Sequence, residues 1–221
     1  MILGFIRHTL TKMNEDDLAC GGLSDPHLSP KGIGTVEELR DQGLYSDDPG
    51  ILYASTLKRT KETLEIIYPG REIIESALLN EQKLGVIESL TKETAGEYFA
   101  THTDFITDPS YVPEGDAESV NQFHERVRRD FDLLYREFED KGYDKVTICC
   151  HGNYFRAIVT LYDMRDDKLK SFEKIQVKNG TGVECEVNRN DNGFEMRLHG
   201  YLGGKDLDSI SRSYDELLHR R

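Results

Sequence analysis

The sequence predicts an α/β fold, on three observations. Residues 2–6 form a short apolar run that breaks off at Arg7 and His8; residues 146–150 form a second, which breaks off at His151 and leads straight into a helical pattern; residues 51–54 form a third, which also passes directly into a helix. Buried strands feeding amphipathic helices build a three-layer α/β/α sandwich on a mostly parallel central sheet. In open sheets of this kind ligands bind outside the carboxyl ends of the strands, where the first two runs place a cation and two imidazoles.

Composition sets the outer bounds. With 221 residues, 37% hydrophobic content and no long apolar run, the chain suits one soluble domain, residues 1–221, with a sizeable core and no membrane span. No charged region precedes a long apolar stretch at the start, so residues 2–6 read as a strand rather than a signal peptide, and the expected location is cytoplasmic. The four cysteines, Cys20, Cys149, Cys150 and Cys185, lack zinc-type spacing, and the adjacent pair inside a buried strand reads as reduced core thiols. No metal and no cofactor are expected. A net charge of −13, from 41 acids against 28 bases, argues against nucleic acid or an anionic membrane as partner. It still allows a small phosphorylated substrate, because a few arginines and histidines can make a pocket positive inside an acidic surface. A homo-oligomer is left open.

Taken in order, the first strand ends in Arg7-His8 and is followed by a long loop, residues 14–27, rich in acids and glycine, of a length more often functional than idle. Gly21-Gly22 within it either bring backbone amides near a ligand or form a plain flexible turn. Ser29 as N-cap and Pro30 at the first position start a helix that carries Val36 and Leu39 and stops at Gly43. After residues 51–54, Ser55-Thr56 can cap a helix burying Leu57, Leu64 and Ile67. Arg59 falls in its first turn, where a cation opposes the helix dipole unless an anion joins it; a solvated arginine is the competing reading. Residues 91–102 read as a helix and 104–114, with Pro109 and Pro113, as an irregular stretch able to line a pocket. Val120, Phe123, Val127, Phe131, Leu134 and Phe138 recur at spacings of three and four, which makes 119–141 a long amphipathic helix.

The second strand turns at His151-Gly152-Asn153 into a helix carrying Phe155, Ile158, Val159 and Tyr162. His151 therefore lies at a helix start, where unpaired amides favour negative charge, and Gly152 permits close approach of the backbone. Residues 174–177, 182–187 and 194–198 read as strands, with turn chemistry at 190–193, and 209–221 as a polar terminal helix. His27, His102, His124, His199 and His219 read as ordinary histidines.

Arg7-His8, Arg59 and His151 together resemble the histidine phosphatase superfamily, also called phosphoglycerate mutase-like proteins. The family's opening signature, Arg-His-Gly-Glu-Thr-x-x-Asn, is matched by Arg7-His8-Thr9-Leu10-Thr11-Lys12-Met13-Asn14, with the glycine and glutamate replaced. The block Ser-x-Leu-x-Arg-Ala-x-x-Thr is similar to the stretch around Arg59, and Ser-His-Gly-x-x-x-Arg-Ala to the stretch around His151 and Gly152. Weaker matches are Glu118-Ser119 with Arg126, and Asn179-Gly180-Thr181. The phosphoglycerate mutase block Leu-Asn-Glu-Arg places the family's proton-transferring glutamate on Glu81.

The resemblance implies a small helical, cap-like insertion over the site, residues 82–118. It also implies substrate-binding roles for Arg7, Asn14, Cys20, Gly21, Arg59, Lys92 and Gly152. The residue types then imply a mechanism: His8 attacks phosphorus, Arg7, Arg59 and protonated His151 hold the phosphoryl oxygens, and Glu81 serves the leaving oxygen and then water. The leading expectation is a phosphomonoesterase acting on a small phosphorylated metabolite. A cofactor-dependent phosphoglycerate mutase is the alternative, and a weakly catalytic phosphate-binding or scaffold member, made thinkable by Thr9 and Leu10, is the third. Where the mutases carry arginine and tyrosine beyond the glutamate, this chain has Gln82 and Leu84; residues 104–114 hold three acids and no arginine or lysine, and of the mutase cations Lys92 alone remains.

Overall fold

The computed structural model describes residues 1–164, 175–191 and 193–213. In chain order the elements are β1 (Ile2–Arg7), α1 (Lys12–Glu15), α2 (Pro30–Asp41), β2 (Ile51–Ala54), α3 (Lys58–Ile67), β3 (Ile73–Glu75), α4 (Lys92–Thr101), α5 (Asp104–Thr107), α6 (Val120–Asp140), β4 (Lys145–Cys150), α7 (Gly152–Leu161), β5 (Asp163–Met164), β6 (Ile175–Val177), β7 (Gly182–Asn190), β8 (Gly193–Leu202), α8 (Leu207–Ile210) and β9 (Ser211–Ser213). Two 3₁₀ turns, Ala77–Leu79 and Gly85–Ser89, lie between β3 and α4.

The main sheet has the order β3-β2-β4-β1-β7-β8-β5, and β6 pairs with β9 apart from it. From β3 to β1 every pairing is parallel, while β7 runs antiparallel to β1 and to β8. Side-chain alternation along the parallel strands divides the core in two. Leu3, Phe5, Tyr53, Val146, Ile148 and Cys150 pack with Phe123, Phe131 and Phe138 of α6 and Tyr154 and Ile158 of α7. Ile6, Leu52, Ala54 and Cys149 point the other way, onto Val36 of α2 and Leu64 and Ile67 of α3. The result is the three-layer α/β/α sandwich, with helices on both faces of the parallel part.

The sheet closes tightly beside β1. A Cβ on Gly182 would lie 1.7 Å from the Phe5 carbonyl oxygen, so only glycine lets β7 pair with β1 at that register.

Several local expectations need correction. Leu57, not Ser55 or Thr56, is the N-cap of α3, and no side chain caps it; the Ser55 hydroxyl instead accepts the Leu57 N–H at 3.1 Å. The stretch 104–114 is not wholly irregular, since it contains α5. A terminal helix over 209–221 is not formed in the described part: Leu207–Ile210 is a single helical turn capped by Asp206, and Ser211–Ser213 pairs with β6, while 214–221 lie outside the described residues. Lys174, at the start of the expected strand 174–177, also lies outside them. The short strands β3 and β5 and the turn α1 carry too little periodicity to be read from sequence.

Candidate active site

The register of the parallel strands assembles the site. Arg7 pairs with Cys150 and Ala54 with Cys149, so the residues that follow β2, β4 and β1 emerge side by side at one edge of the sheet. Those residues are Ser55, His151 and His8. The two imidazole centroids are 5.3 Å apart, with the rings inclined at 61°. Both are buried, His8 at 2% exposure and His151 at 0%.

The state of each ring follows from its neighbours. His8 Nδ1 lies 2.7 Å from the Thr9 carbonyl oxygen, which can only accept, so Nδ1 carries the proton and Nε2 the lone pair. Burial first, then the Arg59 and Arg7 charges, hold the His8 pKa well below the ordinary histidine value, which keeps that lone pair free. His151 is depressed in the same way, by burial, then Arg59, His8 and Arg7. The free protein therefore favours a neutral His151, not the protonated one expected from residue type; a bound anion would supply the opposing charge. Its Nε2 contacts the Ser55 hydroxyl at 2.8 Å, and its buried Nδ1 has no partner. The sequence marked Ser55 as a helix cap and as the first residue of the block around Arg59, not as a partner of His151.

Arg59 is the site's strongest electrostatic statement. It sits in the first turn of α3 with 0% exposure and makes no ion pair with any described carboxylate. Two of its five N–H groups are used, Nη1 on the Ser24 carbonyl at 2.6 Å and Nη2 on the Gly21 carbonyl at 2.9 Å, and Nε is buried with no partner. An uncompensated buried cation is strongly destabilising unless an anion joins it. Arg7 donates from Nη1 to the Val177 carbonyl at 2.8 Å, and its guanidinium carbon lies 3.4 Å from where a Cβ on Gly152 would be. Glycine at that position leaves room for the guanidinium against the start of α7.

Glu81 reaches the same helix start. Its Oε1 accepts from the Gln82 and Tyr154 amides at 3.0 and 3.1 Å, and its Oε2 from the Asn153 amide at 3.1 Å. Those bonds favour the carboxylate, as do Arg59 and Arg7, yet burial outweighs them and raises the Glu81 pKa. Arg126 fixes the segment from below, donating to the Asn80 and Glu81 carbonyls while paired with Glu118 at 2.6 Å. Asn179 does the same for the nucleophile candidate, donating from Nδ2 to the His8 carbonyl at 3.0 Å.

The remaining predicted residues divide. Cys20 is near enough for Arg59, Glu88 and Glu81 to act on its thiol, whose pKa burial raises. Gly21 is present through its carbonyl on Arg59, not through an amide offered to a ligand. Asn14 closes a capping box: its Oδ1 accepts from the Thr11 amide and hydroxyl at 3.2 and 3.1 Å. Lys92 occupies the first position of α4, and its side chain lies outside the described ones. Thr9, which stands where the family pattern has glycine, fits without displacing the turn, because its hydroxyl donates to the Gly32 carbonyl at 2.9 Å and its amide to Thr63 Oγ1 at 3.1 Å.

Comparison with known proteins places the chain in a family. The family described as the histidine phosphatase superfamily (branch 1) matches residues 3–200. A 2,3-bisphosphoglycerate-dependent phosphoglycerate mutase of Parvibaculum lavamentivorans is 31% identical over 206 residues, covering 89% of this chain and 94% of that protein. The 5''-phosphoribostamycin phosphatase of Niallia circulans is 33% identical over 150 residues, or 64% of this chain and 69% of its own length. Among solved structures, the alpha-ribazole phosphatase from Shigella flexneri superposes with a TM-score of 0.70 at 22% identity, covering 92% of this chain and 96% of that one, which speaks to the fold. With the matched family spanning both histidines, Arg7, Arg59 and Glu81, the chain belongs to the histidine phosphatase superfamily.

Proposed function

We propose that the protein is a phosphomonoesterase that hydrolyses a small phosphorylated metabolite through a phosphohistidine. The observation that carries this reading is the fully buried Arg59, in ion-pair contact with no carboxylate among the described residues, beside a histidine whose Nε2 lone pair is free. A phosphoryl group supplies the missing charge and the electrophile together. In the first step His8 Nε2 bonds to phosphorus as the ester oxygen leaves, Arg7 and Arg59 hold the equatorial oxygens, and Glu81 passes its proton to the departing alkoxide. In the second, Glu81 takes a proton from water, water oxygen bonds to phosphorus, and the bond to Nε2 breaks. His151 joins the clamp through Nδ1 once the anion has drawn a proton onto its ring.

Hydrolysis is favoured over mutase chemistry by the charge beyond Glu81. A mutase must hold a carboxylate and a free hydroxyl while the phosphoryl group waits, which takes cations outside the phosphate clamp. Here Gln82 is tied up between Asn153 and the Glu118 carbonyl, Lys83 pairs with Asp116 at 2.9 Å, and 104–114 bring only acids. The mutase reading is kept because a relative 31% identical over most of the chain carries that name. Incubation with 3-phosphoglycerate and a trace of its bisphosphate, following 2-phosphoglycerate and free phosphate together, separates the two. Phosphate release faster than isomerisation supports the phosphatase; isomerisation much faster overturns it. Failure to turn over any aryl phosphate would leave a phosphate-binding protein.

A further inference from the structure

We infer that Glu88 is a positioning residue for the phosphate clamp, acting through the loop 21–24 on Arg59; this rests on the reading of Arg59 as a phosphoryl ligand. Glu88 lies in the 3₁₀ turn Gly85–Ser89, seven positions beyond Glu81, and none of its described hydrogen bonds goes to either histidine. Its carboxylate instead gathers donors from two segments. Oε1 accepts from the Leu84 amide at 2.9 Å and from the Leu23 amide at 3.2 Å; Oε2 accepts from the same Leu23 amide at 3.2 Å and from the Ser24 hydroxyl at 2.6 Å.

The loop it holds is the one that orients Arg59. The guanidinium donates to the carbonyls of Gly21 and Ser24, and with no described carboxylate in ion-pair contact those two bonds are its only described hydrogen bonds. Ser24 thus carries both ends of the link, its hydroxyl on Glu88 and its carbonyl on Arg59. A further strand of the same link, the Gly22 amide donating to the Gln82 carbonyl at 2.7 Å, ties the loop to the residue after Glu81. The approach is close enough to demand the glycines: a Cβ on Gly21 would lie 2.3 Å from Glu88 Oε1, and one on Gly22 2.5 Å from the Glu81 carbonyl oxygen.

An amide replaces this carboxylate poorly. In Glu88→Gln an NH₂ at the Oε1 position meets the Leu84 and Leu23 amides donor against donor; an NH₂ at the Oε2 position can donate to the Ser24 oxygen, but it faces the shared Leu23 amide, and in either orientation the negative charge that drew the three donors together is gone. The hold on Leu23 and Ser24 is weakened, and the Ser24 carbonyl that aims Arg59 is freed to move.

The test is a double-variant cycle read by calorimetric binding of inorganic phosphate and by kcat/KM on a nitrophenyl phosphate, with Glu88→Gln, Arg59→Ala and the pair combined. Glu88→Gln should weaken phosphate binding and lower kcat/KM by roughly tenfold or more, while the combined variant loses no more than Arg59→Ala alone. Losses that multiply in the combined variant, or a Glu88→Gln protein that binds phosphate as the wild type does, overturn the link. Ser24→Ala removes one bond from the same path and answers the question if Glu88→Gln does not fold: its loss should likewise vanish in the Arg59→Ala background. A wild-type protein that binds no phosphate would instead overturn the functional reading on which the link depends.

Discussion

At the scale of single residues, the site is a set of buried groups whose proton states are set by their partners. His8 has one nitrogen committed to the Thr9 carbonyl and the other free, so His8→Ala removes the proposed nucleophile and should abolish turnover and phosphoenzyme formation, measured by single-turnover labelling. Arg59→Ala removes a clamp contact and should cost roughly 10²–10³-fold in kcat/KM, the usual worth of one oxyanion contact. Glu81 is tested by pH. Its pKa is raised by burial while that of His8 is lowered, so activity should rise with pH as His8 loses its proton and fall as Glu81 loses its own. Glu81→Gln should slow alkyl phosphates by roughly 10²–10⁴-fold and remove the falling limb from kcat/KM. Retention of that limb in the variant would assign it to another acid. Glu88, the next acid along the chain, is an unsuitable one, because both of its oxygens are occupied by loop donors.

At the scale of elements, the geometry of the candidate site is a by-product of strand register. Ser55, His151 and His8 come together because β2, β4 and β1 are adjacent, parallel and in step at their carboxyl ends. The antiparallel neighbour β7 locks that arrangement: the Arg7 amide donates to the Thr181 carbonyl at 2.9 Å, and Gly182 lets the strands meet. Gly182→Ala should therefore destabilise by about 3 kcal/mol or more, seen in chemical denaturation, since its methyl group would occupy the place of the Phe5 carbonyl. These strands and the helices after them were legible in the sequence, because apolar runs and three-to-four spacing report burial directly. Arg7, His8 and His151 were legible for the same reason, as charged or imidazole groups abutting buried strands. Glu81 was not: it is one acid among 41 until its amide partners in α7 are known, and only the family resemblance pointed to it. Ser55, Glu88 and Asn179 act through contacts 64 to 171 positions apart, and no local pattern encodes such bonds.

At the scale of the whole molecule, an acidic chain of net charge −13 buries a cluster of arginines and histidines, and the coupling between the two is open to measurement through stability. His8 and His151 have folded pKa values well below those of the unfolded chain, which lie near ~6.5. As pH falls below that value the unfolded chain binds protons that the native site refuses, so the two histidines make native stability fall with acidification. Glu81 works in the opposite sense: above its unfolded value, near ~4.3, the unfolded chain releases a proton that the buried carboxyl keeps, so its contribution falls as pH rises towards the folded pKa. Two histidines oppose one carboxyl in this window, and acidification should be the stronger effect. A bound dianion changes the balance, because it compensates Arg59 and lets His151 take up its proton in the native state, adding stability in proportion to RT ln(1 + [L]/Kd). Millimolar sulfate, which stays a dianion across the range and has no titration of its own to confuse the result, should therefore raise the melting temperature more at about pH 5.5 than at about pH 8. In His151→Ala the pH dependence of that gain should shrink, whereas in Arg59→Ala the gain itself should be lost. An equal rise at both pH values in the wild-type protein would show that anion binding draws no proton onto His151, and would leave the clamp to the arginines alone.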